Sequence, residues 1–196
     1  MTYIDFHSHH VPSSGDVVAV VAGRDTWGIH PWRADEAFTV PDLSGKLAIG
    51  ECGLDAVRGP SMDRQRDVFV QQILLGEQTE KPLVIHCVKA LDLLLRLRKE
   101  QNPKMPWMLH GFRGKPQQLR SLLDAGFHIS FGFNHNEESL RLCPVERLML
   151  ETDDDPRPIA ELYEKVAVVR GVSLSSLCEM MEKNYLAFFK KKPFQT

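Results

Sequence analysis

Apolar residues in this chain gather into short, nearly unbroken runs separated by longer amphipathic stretches. The runs at residues 3–6, 17–21, 47–50, 83–85, 107–109, 127–130 and 147–150 predict strands, with a shorter one at 27–29. Apolarity without alternation is what strands covered on both faces of a parallel sheet display. Between them the spacing predicts helices. Ser61 caps one whose inner face carries Val68, Phe69, Ile73 and Leu74, and Lys81-Pro82 ends it. Leu91, Leu94, Leu95 and Leu97 mark a second, broken at Asn102-Pro103. Leu119, Leu122 and Leu123 mark a third, with Gly126 as the left-handed residue past its end. Ile159, Leu162, Val166 and Val169 form a fourth stripe, which stops at Gly171. Ser173 opens the last helix, with Leu177, Met180, Met181 and Leu186 turned inward.

From Leu47 onward strand and helix alternate, which predicts an α/β fold with parallel pairing through crossovers. Closed into a ring, this order is a TIM-type β/α barrel, a fold of ~250 residues. The 196 residues here leave it trimmed in the first two βα units. A parallel crossover takes about a dozen residues, but only residues 11–16 and 23–26 flank the run at 17–21. Neither connection holds a helix, so 17–21 is expected to run antiparallel between its neighbours or to leave the barrel. With no repeat, linker or low-complexity tract, residues 1–196 read as one domain, large enough to bury a stable core.

The predicted strands end in one type of chemistry. His7-Ser8-His9, Glu51, His86, His110 and Glu151-Thr152-Asp153 close five separate runs. Barrel enzymes place their catalytic groups at that face, and imidazole with carboxylate suits divalent metals. Alternate residues of a strand share a face, so His7 and His9 can reach one ion. A lone His-x-His carries little weight; five converging strand ends carry much more.

Six ligands exceed one tetrahedral ion and suit two divalent ions, drawn from Zn, Mn, Mg, Ni or Fe. Glu51 is the expected bridge, with His7, His9 and Asp153 on one ion and His86 and His110 on the other. Such a pair lowers the pKa of water from ~15.7 to ~7. Asp153 can orient that water and accept its proton. His30, Arg113 and Arg64 are candidates for contacting substrate, the arginines because a planar guanidinium fits phosphate.

Composition narrows the classes. A formal charge of −2 gives no general attraction to polyanions, so any such substrate must be met locally. No apolar run approaches the ~18 residues of a membrane span. The N-terminus lacks the pattern of a secretory signal, and cytoplasmic residence is expected. The four cysteines form no CxxC pair and read as small buried thiols. A monomer or weak homodimer is expected.

Six segments together resemble the TatD-type metal-dependent hydrolases. They are DFHSHH at 5–10, WGIHPW at 27–32, AIGECGLD at 48–55, LVIHC at 83–87, MLHGFRG at 108–114 and LMLETD at 148–153. The resemblance implies a β/α barrel with one or two divalent metals that hydrolyses DNA or another phosphodiester. Its motifs place the ligands on the same six residues. Two departures stand out. The segment between HSHH and GIHPW is short for the family, and ETD continues into Asp154-Asp155-Pro156 rather than Ala-Pro and an extended loop. The two added acids are expected to be solvated at a helix N-terminus.

Two other readings remain open at this point. One is an amidohydrolase-type enzyme acting on a C–N or lactone bond. Such sites often bridge their metals with a carboxylated lysine, where this chain offers Glu51 and no lysine at a predicted strand end. The other is a catalytically weak metal-binding interaction protein, whose missing early helices would leave a barrel face for a partner.

Overall fold

A computed structural model describes residues 1–191 and Pro193. The strands are β1 (Tyr3–Ser8), β2 (Val17–Val21), β3 (Thr26–Trp27), β4 (Ala48–Asp55), β5 (Leu83–Val88), β6 (Trp107–Leu109), β7 (His128–Phe131) and β8 (Leu148–Leu150). Helix α1 (Met62–Thr79) follows β4, α2 (Leu91–Gln101) follows β5 and α3 (Pro116–Asp124) follows β6. Helix α4 (Glu137–Leu142) follows β7, while α5 (Ile159–Arg170) and α6 (Leu174–Phe189) follow β8. One ladder carries β3 to β8 in chain order and a second joins β1 to β2. The two meet where Ser8 bridges Asp153 in parallel. There the His9 amide donates to the Asp153 carbonyl (3.0 Å) and the Asp153 amide to the His7 carbonyl (2.9 Å).

Strand β2 corrects the expectation for residues 17–21. It lies parallel to β1 in one sheet, with Tyr3 opposite Val17 and Asp5 opposite Ala19. The dozen-residue rule presumes a helical crossover. Eight extended residues, 9–16, reach ~26 Å, enough to return along the ~20 Å of β1 without one. The trimming also goes one unit further than expected, since the link from β3 to β4 holds only a 3-10 turn at Pro31–Arg33. No ladder joins β2 to β3 among the described residues. Asp25 ties that gap instead, its carboxylate accepting the Val21 amide (2.7 Å) and its carbonyl the Leu47 amide (2.7 Å).

Strands β4 and β5 run past their predicted ends, which places Glu51 and His86 inside strands. The polar residue that looks like a stop projects inward, while Cys52 and Leu54 stay buried beside it. The short strand predicted at 27–29 is Thr26–Trp27. Helix α4 is an unpredicted element: six residues cannot show a period, although Asn136 caps it by accepting the Ser139 amide (2.9 Å).

Helix α1 begins as expected, with Ser61 Oγ accepting the Arg64 amide (3.3 Å). Its buried face runs through Gln65, Val68, Phe69, Gln72, Ile73 and Gly76. Leu74 lies ~100° around from Ile73 and is exposed, a correction to the predicted stripe. Leu186 of α6 is likewise exposed, while Leu177, Met181, Tyr185 and Phe188 fill the core. The two buried glutamines serve the site. Gln72 accepts from the Ile29 amide (2.6 Å) and donates to its carbonyl (3.1 Å). Gln65 does the same for Asp55, at 2.7 and 2.9 Å. One helix therefore fixes the chain at both Ile29 and Asp55, because unpaired buried backbone groups are costly.

Cys52, Cys143 and Cys178 are buried and Cys87 partly so, as small thiols. Burial pushes the Cys87 thiol up to about 12, so it is not a thiolate at neutral pH. No helix among the described residues is long and apolar enough to cross a membrane. Lys190 and Lys191 are exposed at the end of α6, and Lys192 lies outside the described residues.

His128, at the start of β7, gives a pH test of this packing. Its ring sits edge-on to Phe188 at 5.1 Å, and Arg147 Nη1 lies 3.3 Å from its Nε2. Burial first, then the charges of Arg147 and Arg98, pulls its pKa down to about 4. The unfolded chain protonates it near 6.5. The unfolded state therefore binds more protons between these values, so the stability from neutral His128 is present above pH 6.5 and lost as pH falls to 4. Denaturant titrations at pH 7 and 4 should show wild type losing up to ~3 kcal/mol more than His128→Gln. Equal losses would contradict it.

Candidate metal centre

Glu51 stands at the middle of a ring of imidazoles. Its Oε2 lies 3.5 Å from His7 Nε2 and 3.4 Å from His9 Nε2. Its Oε1 lies 2.8 Å from His110 Nε2, 3.1 Å from His86 Nδ1 and 3.4 Å from His30 Nε2. Asp153 Oδ1 joins the first side, 3.7 Å from His7 and 3.5 Å from His9. The two oxygens of one carboxylate thus face two separate histidine sets. All six ligand candidates are brought together, delivered by β1, β4, β5, β6 and the turn after β8.

The residues fit divalent cations. His7 Nε2 and His110 Nε2 are buried with no hydrogen-bond partner, although each points at a carboxylate. Buried polar atoms ordinarily find a partner. Four overlapping groups have ligand atoms close enough together to hold an ion: His7, His9 and Asp153; His7, Glu51 and His110; His30, Glu51 and His86; and His110, Glu151 and Asp153.

Two acids behind the ring set the imidazoles. Asp55 Oδ2 lies 3.2 Å from His86 Nε2 and Glu51 Oε1 3.1 Å from its Nδ1, so a cation held on the Glu51 side would take Nδ1 and leave the proton on Nε2 toward Asp55. Glu151 is fully buried, accepts the Gly111 amide, and lies 3.4 Å from His110 Nδ1. Neither acid was assigned a role from sequence. Asp55 lies beyond the apolar run that marks its strand, and Glu151 lies in the turn after β8, so strand alternation singles out neither. Asp5 adds a third support. It accepts the Thr152 amide (3.0 Å) and hydroxyl (2.6 Å), binding β1 to the turn that carries Asp153.

Charge in the cluster is strongly coupled. Burial opposes ionisation of Glu51, yet the positive field of His110, with His30 and His7 alongside, outweighs it and holds the carboxyl far below its usual range. Burial also disfavours charged His110, but Glu51 and Glu151 hold it well above a free histidine. The Glu51 carboxylate beside it raises His9. Asp153 is raised, first by burial and then by Glu151 and Glu51. Asp153 also has a left-handed backbone, φ 56°, a conformation that costs a non-glycine residue ~1 kcal/mol or more and gathers at functional sites.

The substrate candidates divide. His30 Nδ1 accepts the Trp32 amide (3.3 Å), which leaves the proton on Nε2 and makes that atom a donor. Arg113 is exposed and lines a cavity of about 1030 Å³ that opens from His86, His110 and Asp153. Arg64 turns away. Its Nε donates to the Ala34 carbonyl (2.9 Å), bracing the loop after the 3-10 turn. The acids after Asp153 are solvated: Asp154 is exposed, and Asp155 pairs with Arg157 at 2.6 Å.

Comparison with known proteins agrees with this geometry. The family model described as TatD related DNase matches residues 19–190. The chain is 30% identical over 190 residues to the "uncharacterized metal-dependent hydrolase YcfH" of Escherichia coli K12, covering 83% of this chain and 72% of that protein. It is 31% identical over 199 residues to the 3'-5' ssDNA/RNA exonuclease TatD of Pantoea ananatis, covering 84% and 76%. The crystal structure of YJJV, a TatD homolog from Escherichia coli K12, matches with a TM-score of 0.75 at 19% identity, over 91% of this chain and 79% of that one. An amidohydrolase structure from Saccharomyces cerevisiae matches at 0.67 and 16%, over 89% and 80%. These structural likenesses identify the fold as the β/α barrel type. With the family model spanning most of its length, the chain belongs to the TatD-related DNase family.

Proposed function

We propose that this family member is a metal-dependent phosphodiesterase that cleaves single-stranded nucleic acid. The observation that carries the reading is the division of Glu51 between two imidazole sets. His7, His9, Asp153 and Glu51 would hold one divalent cation, and Glu51, His86 and His110 a second. Such cations supply Lewis-acid polarisation of a phosphoryl oxygen and acidify water.

The chain's own groups do the rest. Asp153 borders the open cavity and is the carboxylate placed to take a proton from attacking water. His30 Nε2–H is a donor for a non-bridging phosphate oxygen, turned by Trp32 and fixed through Ile29 by Gln72. Asp55 and Glu151 hold the rings of His86 and His110 in orientation. The cavity leads outward past Lys89, Arg96 and Arg113, against Asp92 as its further acid. That local cationic wall suits a polyanion despite the chain's net charge of −2. The ssDNA/RNA exonuclease among its relatives supports the same substrate class.

The test is hydrolysis of single-stranded DNA and of bis(p-nitrophenyl) phosphate with added Mg, Mn or Zn. Turnover is expected with metal and a fall of about 10²–10⁴ in Asp153→Asn. Failure to cleave either compound with any of the metals, in protein shown to bind them, would refute the reading.

A further inference from the structure

The mouth of the site carries an aromatic surface that the phosphodiester chemistry does not use. We propose that Trp32 and Arg58 form a stacking subsite for a nucleobase next to the scissile phosphate. Substrate is then recognised by its bases as well as its backbone. This rests on the phosphodiesterase reading and adds which part of the substrate is gripped.

Trp32 is 41% exposed, whereas Trp107 in the core is fully buried. An exposed indole is ordinarily mobile, but this one is fixed. Its Nε1–H donates to Asp55 Oδ2 (2.7 Å), the oxygen that also faces His86 Nε2. Its ring lies edge-on to His30 with centroids 4.5 Å apart, and His30 reaches Glu51 at 3.4 Å. The indole is therefore tied to the ring of proposed ligands through two side chains. The Arg58 guanidinium lies over the indole, 3.8 Å from its centroid, and the Arg58 amide is bonded to Asp55 (3.0 Å).

A guanidinium stacked on an indole presents a flat, polarisable and cationic surface. Base planes stack on such surfaces whatever their sequence. The guanidinium edge remains a donor for phosphate. Beside it Val57 is 63% exposed, so no described residue closes over this corner. A residue needed only to steady Asp55 would require the N–H, not an open aromatic face.

Two fluorescently labelled oligonucleotides of equal length, one an oligothymidylate and one abasic, separate these roles by anisotropy in EDTA, where no turnover occurs. Wild type is expected to bind the base-bearing strand about tenfold more tightly, as one stacked base provides. Trp32→Ala should erase that preference. Trp32→Phe keeps an aromatic face but loses the N–H to Asp55, and should retain most of it. A preference that survives in Trp32→Ala, or is absent from wild type, overturns the subsite. Metal-dependent cleavage of bis(p-nitrophenyl) phosphate by wild type is scored separately, so the subsite can fail while the phosphodiesterase reading stands.

Discussion

Glu51→Gln is expected to abolish turnover, lowering kcat/KM by at least ~10²–10³, the cost of removing one key electrostatic group from an active site. The substitution keeps shape and removes charge. Both carboxylate oxygens lie within 3.5 Å of imidazole nitrogens, so one residue reaches both sides of the cluster. An amide offers one carbonyl oxygen and turns its NH₂ toward the other set, where it repels a cation. Bound metal should fall with activity, as measured by elemental analysis after dialysis. Unchanged circular dichroism would show that the loss is local. Full activity in this variant would mean that the two imidazole sets act without a shared bridge.

The second large effect is expected at Gly53, two residues further along β4. Its φ of 131° lies where L side chains rarely go, and a Cβ there would stand 2.1 Å from the His86 carbonyl oxygen. The obstacle is backbone of the paired strand, so no rotamer change relieves it. Gly53→Ala should destabilise by about 3 kcal/mol or more, combining overpacking with the unfavourable dihedral. Relief would come from pushing β5 away, which carries His86 off Glu51. Denaturant unfolding and metal affinity should therefore fall together. A stable variant with normal metal affinity would show that β4 and β5 tolerate separation.

The family block at 48–55 thus has a physical reading residue by residue. Glu51 faces two imidazole sets, Gly53 lets two strands approach, and Asp55 backs the ring of His86. Only the first was legible in the sequence, where an acid closing an apolar run is conspicuous. Glycine and Asp55 look like turn residues until β4 is seen to continue through them. The six ligand candidates could be read because each interrupts apolar residues with imidazole or carboxylate. The direction of β2 could not, because a short connection excludes a helical crossover but not an extended return, which needs fewer residues. Leu74 differs for another reason: the buried face of α1 continues from Ile73 to Gly76 and includes Gln65 and Gln72, polar residues that an apolar stripe does not mark. No sequence pattern marked Trp32 either, since its platform comes from Arg58, 26 positions away.

The central claim is that one carboxylate joins two metal-binding sets, and counting ions tests it most directly. Metal-free protein titrated with Zn or Mn by calorimetry, with content checked by elemental analysis, should take up two ions per chain. His86→Ala should reduce this to one and leave the His7, His9 and Asp153 set occupied. A single ion in wild type, lost altogether on removing His86, would contradict the bridged pair and leave one mononuclear site in its place.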